Sequence, residues 1–214
     1  MTDLTIAIAK GRLQEEALEL LTSAGLGFSS ETLSSRRLAV EDESGRYCLI
    51  FVKPADVPVY VEHGIADCGI VGRDVLLESD ADLLQPLSLN IGACRIVVAA
   101  KDDTPLRQLG MLRVATKYPR IAAQHFGARG VAVDIIKLSG SVELAPVLGL
   151  ADCIVDLVET GKTLQENGLG IIEVITDSAA RLVVNRASYQ LKAEAVGQLI
   201  KSLEVALLRR ASGD

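Results

Sequence analysis

The sequence predicts an α/β protein with mostly parallel sheets arranged in two lobes, and three observations carry that reading. Short runs rich in Val, Ile and Cys alternate with stretches whose apolar residues recur at helical spacing, the pattern of strand–helix–strand units. The segment Gly64-Ile65-Ala66-Asp67-Cys68-Gly69-Ile70-Val71 returns in outline as Gly149-Leu150-Ala151-Asp152-Cys153-Ile154-Val155. A chain of 214 residues is also long enough for two small lobes that each bury a core. Each copy of the echo follows a short helical pattern, breaks it with glycine, launches an apolar strand and ends in a loop, Gly72-Arg73-Asp74 or Glu159-Thr160-Gly161. Related lobes facing each other across a cleft are expected, with ligands at the carboxyl ends of the parallel strands.

Taken in order, Leu4–Ala9 reads as a strand, and Leu13–Ala24 as a helix that stops at Gly25. Cys48–Val52 is a second strand, Val57–His63 a helix ended by Gly64, and Cys68–Val71 a third strand. Arg95–Ala100 opens a new set of strands, continued by Val114–Thr116, Val133–Lys137 and Cys153–Val158. Helices at Pro119–Phe126, Val142–Leu148 and Thr163–Asn167 lie between or after them. Leu191, Ala195, Leu199, Leu203 and Ala206 give a last helix, Tyr189–Arg209, one apolar stripe. That stripe would cover the first lobe after a return near Ser178–Leu182. The lobes are therefore 1–91 plus 180–214 and 92–179.

Composition excludes several classes. The chain has 22 Lys and Arg against 28 Asp and Glu, a net charge of −6, with no basic stripe and few aromatics. A nucleic-acid partner needs both and is not expected. Charges interrupt every apolar stretch before membrane-spanning length, and the first residues lack the basic start of a secretory signal, so no membrane partner and a cytoplasmic location are expected. Cys48, Cys68, Cys94 and Cys153 sit singly in apolar runs and read as reduced, buried thiols. His63 and His125 receive no catalytic role.

The sharpest chemical segment is Asp156-Leu157-Val158-Glu159-Thr160-Gly161-Lys162-Thr163-Leu164. A strand delivers the chain into a turn of hydroxyls and glycine that opens a short helix, where backbone N–H groups and the Thr160 and Thr163 hydroxyls can cradle a phosphate. Asp156 and Glu159 would repel phosphate but suit the vicinal hydroxyls of a ribose. Gly161-Lys162-Thr163 is not a Walker A motif, because Asp156 stands where that motif needs its first glycine.

Glu143, Gly149, Ala151, Ile154, Asp156, Thr160, Gly161, Thr163 and Leu164 fall at the spacing of the ATP phosphoribosyltransferase signature. Ala115-Thr116-Lys117-Tyr118-Pro119, the run from Leu138 to Pro146, Ala9-Lys10-Gly11-Arg12, Asp56-Val57-Pro58 and Gly72-Arg73-Asp74 also resemble that family. The resemblance implies a type II periplasmic-binding-protein fold. It implies a reaction joining N1 of the adenine of ATP to C1 of phosphoribosyl pyrophosphate, with pyrophosphate released, as the first step of histidine biosynthesis. Mg²⁺ would accompany the substrates; its ligands are not identified. The length resembles the short form, which depends on a regulatory subunit similar to histidyl-tRNA synthetase in a hetero-octamer, and a homodimer of catalytic subunits is expected. By resemblance Arg12 and Arg36 hold the departing pyrophosphate, with Arg37 able to exchange roles with Arg36. Lys10, Gly11 and Asp74 serve ATP, and the segment from Asp156 to Leu164, including Lys162, serves phosphoribosyl pyrophosphate. Lys53 stands where the family often has Arg, which keeps a charge and loses a planar fork. The competing reading is a non-catalytic solute- or effector-binding domain of the same fold, which has no use for the Thr-Gly-Lys-Thr turn.

Overall fold

The protein is described from a computed structural model that covers residues 2–29, 37–101, 104 and 110–212. The chain divides into two compact units, Met1–Gly92 with Ala179–Asp214, and Ala93–Ser178.

The first unit is built on a six-stranded sheet. Strand β1 (Leu4–Ala9) leads into helix α1 (Arg12–Ser23), followed by β2 (Ala39–Glu41) and β3 (Tyr47–Val52). A 3₁₀ turn at Pro54–Asp56 precedes α2 (Val57–Glu62), then β4 (Cys68–Gly72), α3 (Arg73–Ser79) and β5 (Leu84–Ser88). The chain returns to this unit with β11 (Ala180–Val184), α7 (Arg186–Leu191) and α8 (Ala193–Ser212). The order is β2-β3-β1-β4-β11-β5. Strands β3, β1 and β4 run parallel, while β2, β11 and β5 pair antiparallel to their neighbours.

The second unit holds β6 (Cys94–Ala100), β7 (Leu112–Thr116), α4 (Pro119–Gly127), β8 (Val133–Lys137), α5 (Leu144–Val147), β9 (Cys153–Val158), α6 (Lys162–Glu166) and β10 (Gly170–Ser178). Its sheet has the order β10-β6-β9-β7-β8. Here β8, β7 and β9 are parallel, and β6 lies antiparallel between β9 and β10. The sheets are thus mixed rather than mostly parallel. The helical crossovers make one trio of each sheet parallel, β3-β1-β4 in the first and β9-β7-β8 at the edge of the second. Beyond β4 and β9 the next strands, β11 and β6, run the other way, and β5 and β10 turn back to the direction of the trio.

The sequence echo is a structural duplication. Asp67 and Asp152 occupy one position in two copies of the same β–α–β frame. Asp67 N–H donates to the Thr5 carbonyl at 2.8 Å, and Thr5 N–H returns a bond to the Asp67 carboxylate at 2.8 Å. Asp152 and Arg113 make the same exchange at 2.9 and 2.8 Å. Ahead of each, Gly64 and Gly149 take φ of 69° and 77°, which an L side chain resists, and their N–H groups cap Val61 and Pro146. The N–H groups of Ile65 and Ala66 then converge on the Tyr60 carbonyl, as those of Leu150 and Ala151 do on Ala145. The strand registers agree: Ile6 faces Cys68 and Val114 faces Cys153.

Each unit buries its own core. In the first, Leu4, Ile6, Ile8, Leu49, Ile70 and Leu182 meet Leu20 and Leu21 of α1 and Leu199 and Leu203 of α8. One face of the second sheet packs Val97, Ala99, Ala115 and Ile154 against Val142, Ala145 and Leu164. The expected single terminal helix is two helices, because the chain bends at Lys192 (φ −119°). The bend lets the Ser188 hydroxyl and the Lys192 ammonium both reach the buried Asp67 carboxylate, at 2.7 and 2.8 Å. The loop expected at Gly72-Arg73-Asp74 is also corrected, since α3 starts at Arg73 directly after β4. None of the four cysteines forms a disulfide; Cys48 is only partly buried, unlike the other three, and burial pushes the Cys68 and Cys153 thiols up to about 12, which makes those two inert packing groups.

Candidate functional site

In the second unit the parallel strands β8, β7 and β9 place their carboxyl ends side by side. Thr116 closes β7, Lys137 closes β8 and Val158 closes β9. The segment after β9 is exposed at Glu159, Thr160, Lys162 and Thr163, while Leu164 is buried in the core and pins the turn to the sheet. Gly161 has φ 81°, so the chain turns through a left-handed conformation immediately before α6. The Thr160 hydroxyl accepts from Lys162 N–H at 3.4 Å. The N–H groups of Thr163 and Leu164 open the helix and have no acceptor within it. Lys162 extends from the turn with only a loose 3.8 Å pairing to Glu166. Hydroxyls, unsatisfied N–H groups and one cation thus gather within a few residues, a donor-rich turn of the kind that accepts a phosphate.

Asp156 stands just behind this turn. It shares the β9 face of Ile154 and Val158 and is half-buried. Burial pushes its carboxyl up; the Leu157 N–H and the Lys117 charge pull it down, and Glu143 raises it. Lys117 and Glu143 are therefore electrostatic neighbours of Asp156. The strand register explains the first: Thr116 faces Val155, so Lys117, the first residue past β7, comes level with Asp156 on the adjacent parallel strand.

In the first unit the same logic applies to β3, β1 and β4. Lys10, Gly11 and Arg12 leave the end of β1 and are exposed. The Lys10 N–H donates to the Val52 carbonyl at 2.8 Å, which ties this turn to the end of β3 and brings Lys53 beside it. Arg12 is the first residue of α1. Phe51 N–H donates to the Leu38 carbonyl, so Arg37 enters at this same end of the sheet. Arg36 lies outside the described residues. Asp74, at the end of β4, is only 6% exposed, and its carboxylate folds back over Gly72 so closely that a side chain there would collide with it.

Lys10, Gly11, Arg12 and Asp74 thus gather at one sheet end, and Asp156, Glu159, Thr160, Gly161, Lys162, Thr163 and Leu164 at another. Sequence reasoning missed the neighbours of Asp156, namely Lys117 and the buried Thr116. Their signal was strand adjacency, which the sequence does not state. A groove of about 600 Å³ lies elsewhere, at the amino end of β3, lined by Asp42, Arg46, Lys201 and Arg209 among others, and it holds none of the candidate residues. The candidate residues lie at strand ends and not in this groove. No group of three acidic, His or Cys side chains that could hold a metal forms among the described residues, nor is any helix there long and apolar enough to cross a membrane.

A profile of the ATP phosphoribosyltransferase family matches residues 53–205. An ATP phosphoribosyltransferase of Sorangium cellulosum is 48% identical over 203 residues, 95% of each chain. Another, from Chromobacterium violaceum, is 50% identical over 198 residues, 90% of this chain and 93% of its own. Among solved structures, the ATP phosphoribosyl transferase (HisG:HisZ) complex from Thermotoga maritima matches with TM-score 0.85 and 37% identity, covering 96% of this chain and 99% of that one. The periplasmic aliphatic sulphonate binding protein SsuA of Escherichia coli, at TM-score 0.62 and 14% identity over 98% of this chain and 70% of its own, shares the fold alone.

Proposed function

The chain belongs to the ATP phosphoribosyltransferase family, and from that premise we infer that it joins N1 of the adenine of ATP to C1 of phosphoribosyl pyrophosphate, releasing pyrophosphate, in the first step of L-histidine biosynthesis. The observation that carries this reading is end-to-end similarity to named transferases, together with a donor-rich Thr-Gly-Lys-Thr turn at the end of β9.

N1 of adenine already holds a free lone pair, so attack needs no strong general base. The demands are a departing pyrophosphate and a ribose that becomes cationic at C1, so catalysis consists of positioning and electrostatics. In the second unit, Thr160, Gly161, Lys162, Thr163 and the N–H of Leu164 hold the 5′-phosphate, while Asp156 and Glu159 accept from the ribose 2- and 3-hydroxyls. In the first unit, Arg12 and Arg36 bind the pyrophosphate as charge develops on it, and the bidentate fork of arginine suits that task. Lys10 and Gly11 meet the ATP phosphates, with Asp74 fixing the Gly72 turn beside them. In a chain of net charge −6, cations concentrated at one sheet end are what admits two polyanions. Mg²⁺ bound with the substrates would neutralise pyrophosphate charge, and Asp156 and Glu159 would be the carboxylates nearest to it, since no group of three possible ligands forms among the described residues.

A chain that matches the transferase of a two-component complex over nearly its whole length works with a regulatory subunit, which we place in a hetero-octamer around homodimers of this chain. The location that follows is cytoplasmic. The test is an absorbance assay for the N1-substituted adenine, with ATP, phosphoribosyl pyrophosphate, Mg²⁺ and pyrophosphatase, run with and without the synthetase-like partner. Turnover in either arm supports the reading. Silence in both, from folded protein, overturns it and leaves solute binding as the function.

A further inference from the structure

The duplication supplies an internal control for every residue at the end of β9. Matching Asp67 to Asp152 and Thr5 to Arg113 places Ile8 at the position of Thr116, Ala9 at that of Lys117, Val71 at that of Asp156, and Pro58 at that of Glu143. In the first unit these four are apolar and buried: Ile8 and Val71 are 0% exposed, Ala9 1%, and Pro58 is also buried. In the second unit the same four positions carry a hydroxyl, an ammonium and two carboxylates. The frame itself therefore does not require polar groups there.

Thr116 is the least expected of the four, because it is 0% exposed. Its hydroxyl donates to the Val155 carbonyl at 2.6 Å and accepts from the Tyr118 N–H at 2.8 Å. One bond ties the end of β7 to the residue immediately before Asp156. The other turns the chain immediately after Lys117. The Leu138 N–H adds a third tie, donating to the Thr116 carbonyl at 3.0 Å and fastening the end of β8 to the same point. Ile8 has no such group, and there the adjacent strand end passes straight into α3.

We propose that Thr116 is a positioning residue of the phosphoribosyl pyrophosphate site, its buried hydroxyl locking the ends of β7 and β9 so that Lys117 and Asp156 stand side by side facing the ribose. This rests on the assignment of Asp156 to the ribose hydroxyls. Burial and Glu143 push the half-buried Asp156 carboxyl up and Lys117 pulls it back toward the ionised form, and an ionised carboxylate is the acceptor that a sugar hydroxyl needs. A buried hydroxyl with both of its bonds made holds that pair far more firmly than an exposed loop contact would.

The experiment compares Thr116→Val, which keeps the shape and removes both bonds, with Thr116→Ser, which keeps the hydroxyl, and with Asp156→Asn. Steady-state kinetics of the catalytically competent protein, with its partner subunit if one is required, are read at varied phosphoribosyl pyrophosphate and at varied ATP, beside melting curves. Thr116→Val should raise KM for phosphoribosyl pyrophosphate at least about tenfold and leave KM for ATP within about twofold, since a misplacement of an ångström can cost about a hundredfold. Its acid limb should move to higher pH, because an Asp156 parted from Lys117 ionises later, and Thr116→Ser should restore both readouts. If Asp156→Asn weakens the substrate and folded Thr116→Val does not, the proposal is overturned while the site assignment stands. If neither changes KM, the ribose assignment falls and takes the proposal with it. A lowered melting temperature with unchanged kinetics would make Thr116 a purely structural clamp and also overturn it.

Discussion

Asp156 is where the requirements of folding and of chemistry part. Its equivalent Val71 is a core residue, whereas Asp156 holds a carboxyl that burial pushes up. A carboxyl raised in the folded state is no burden below the ordinary carboxylate range; it destabilises the fold as pH rises through the folded value, and fully above it. Asp156→Asn is therefore expected to raise the melting temperature at pH 7 and to lose that advantage below about pH 4, while cutting kcat/KM for phosphoribosyl pyrophosphate by about tenfold or more. Parallel thermal scans at the two pH values check the sign. Arg12 makes a different prediction. If it acts on departing pyrophosphate, Arg12→Ala should lower kcat by about a hundredfold with little change in either KM, the mark of an interaction made mainly in the transition state. A rise confined to KM would assign it to ground-state binding. The Thr-Gly-Lys-Thr turn could be read in the sequence because its residue types and spacing lie within nine consecutive positions. Lys117 and Glu143 could not be set beside Asp156 without the β7–β9 register, and Thr116 reads in isolation as an ordinary strand residue.

At the scale of elements, the aspartates of the echo carry the frame. Asp67 takes bonds from Thr5, Ser188 and Lys192, and Asp152 from Arg113 through backbone and side chain. The Arg113 guanidinium, with its N–H, holds the Asp152 carboxyl below its ordinary range against a smaller opposing effect of burial. Stability from this pair is present above the ordinary carboxylate pKa and is lost as pH falls through the lowered folded value. Asp67→Ala and Asp152→Ala should each destabilise by about 1–3 kcal/mol, since a backbone N–H loses its acceptor, without altering KM. Urea titration beside kinetics checks both halves of that statement. The elements legible from sequence were those with strong periodicity: β1, β8 and β9 agree with their expected bounds, and α1 and α4 shift by a residue at their ends. Three of the strands that escaped notice lacked a clean pattern. β2 has three residues, β5 carries Pro86 at a sheet edge, and bulges near Glu173 and Thr176 break the alternation of β10. The break at Lys192 was hidden for another reason: a helical stripe runs through it, and its bonds to the distant, buried Asp67 are not visible in the local pattern.

At the scale of the whole molecule, one β–α–β frame is used twice and specialised differently. The first copy exposes Lys10 and Arg12 beyond an apolar strand end, and the second imports charge and hydroxyls into positions its counterpart leaves apolar. We read that division as giving the phosphate and ribose of phosphoribosyl pyrophosphate to the second unit and the departing pyrophosphate to the first. The most direct test is calorimetric titration of Mg²⁺-phosphoribosyl pyrophosphate, with and without ATP, into the wild-type chain and Thr163→Val. This variant is cleaner than Gly161→Val, since Gly161 sits at φ 81° and a β-branched residue there would strain the backbone. Thr163 is exposed, so its loss should leave the melting temperature in place. The account predicts binding by the wild type and a dissociation constant at least about tenfold weaker in the variant, the expected loss of a bond to a charged phosphate. Undiminished affinity in folded Thr163→Val would contradict it and remove the phosphate from the turn after β9.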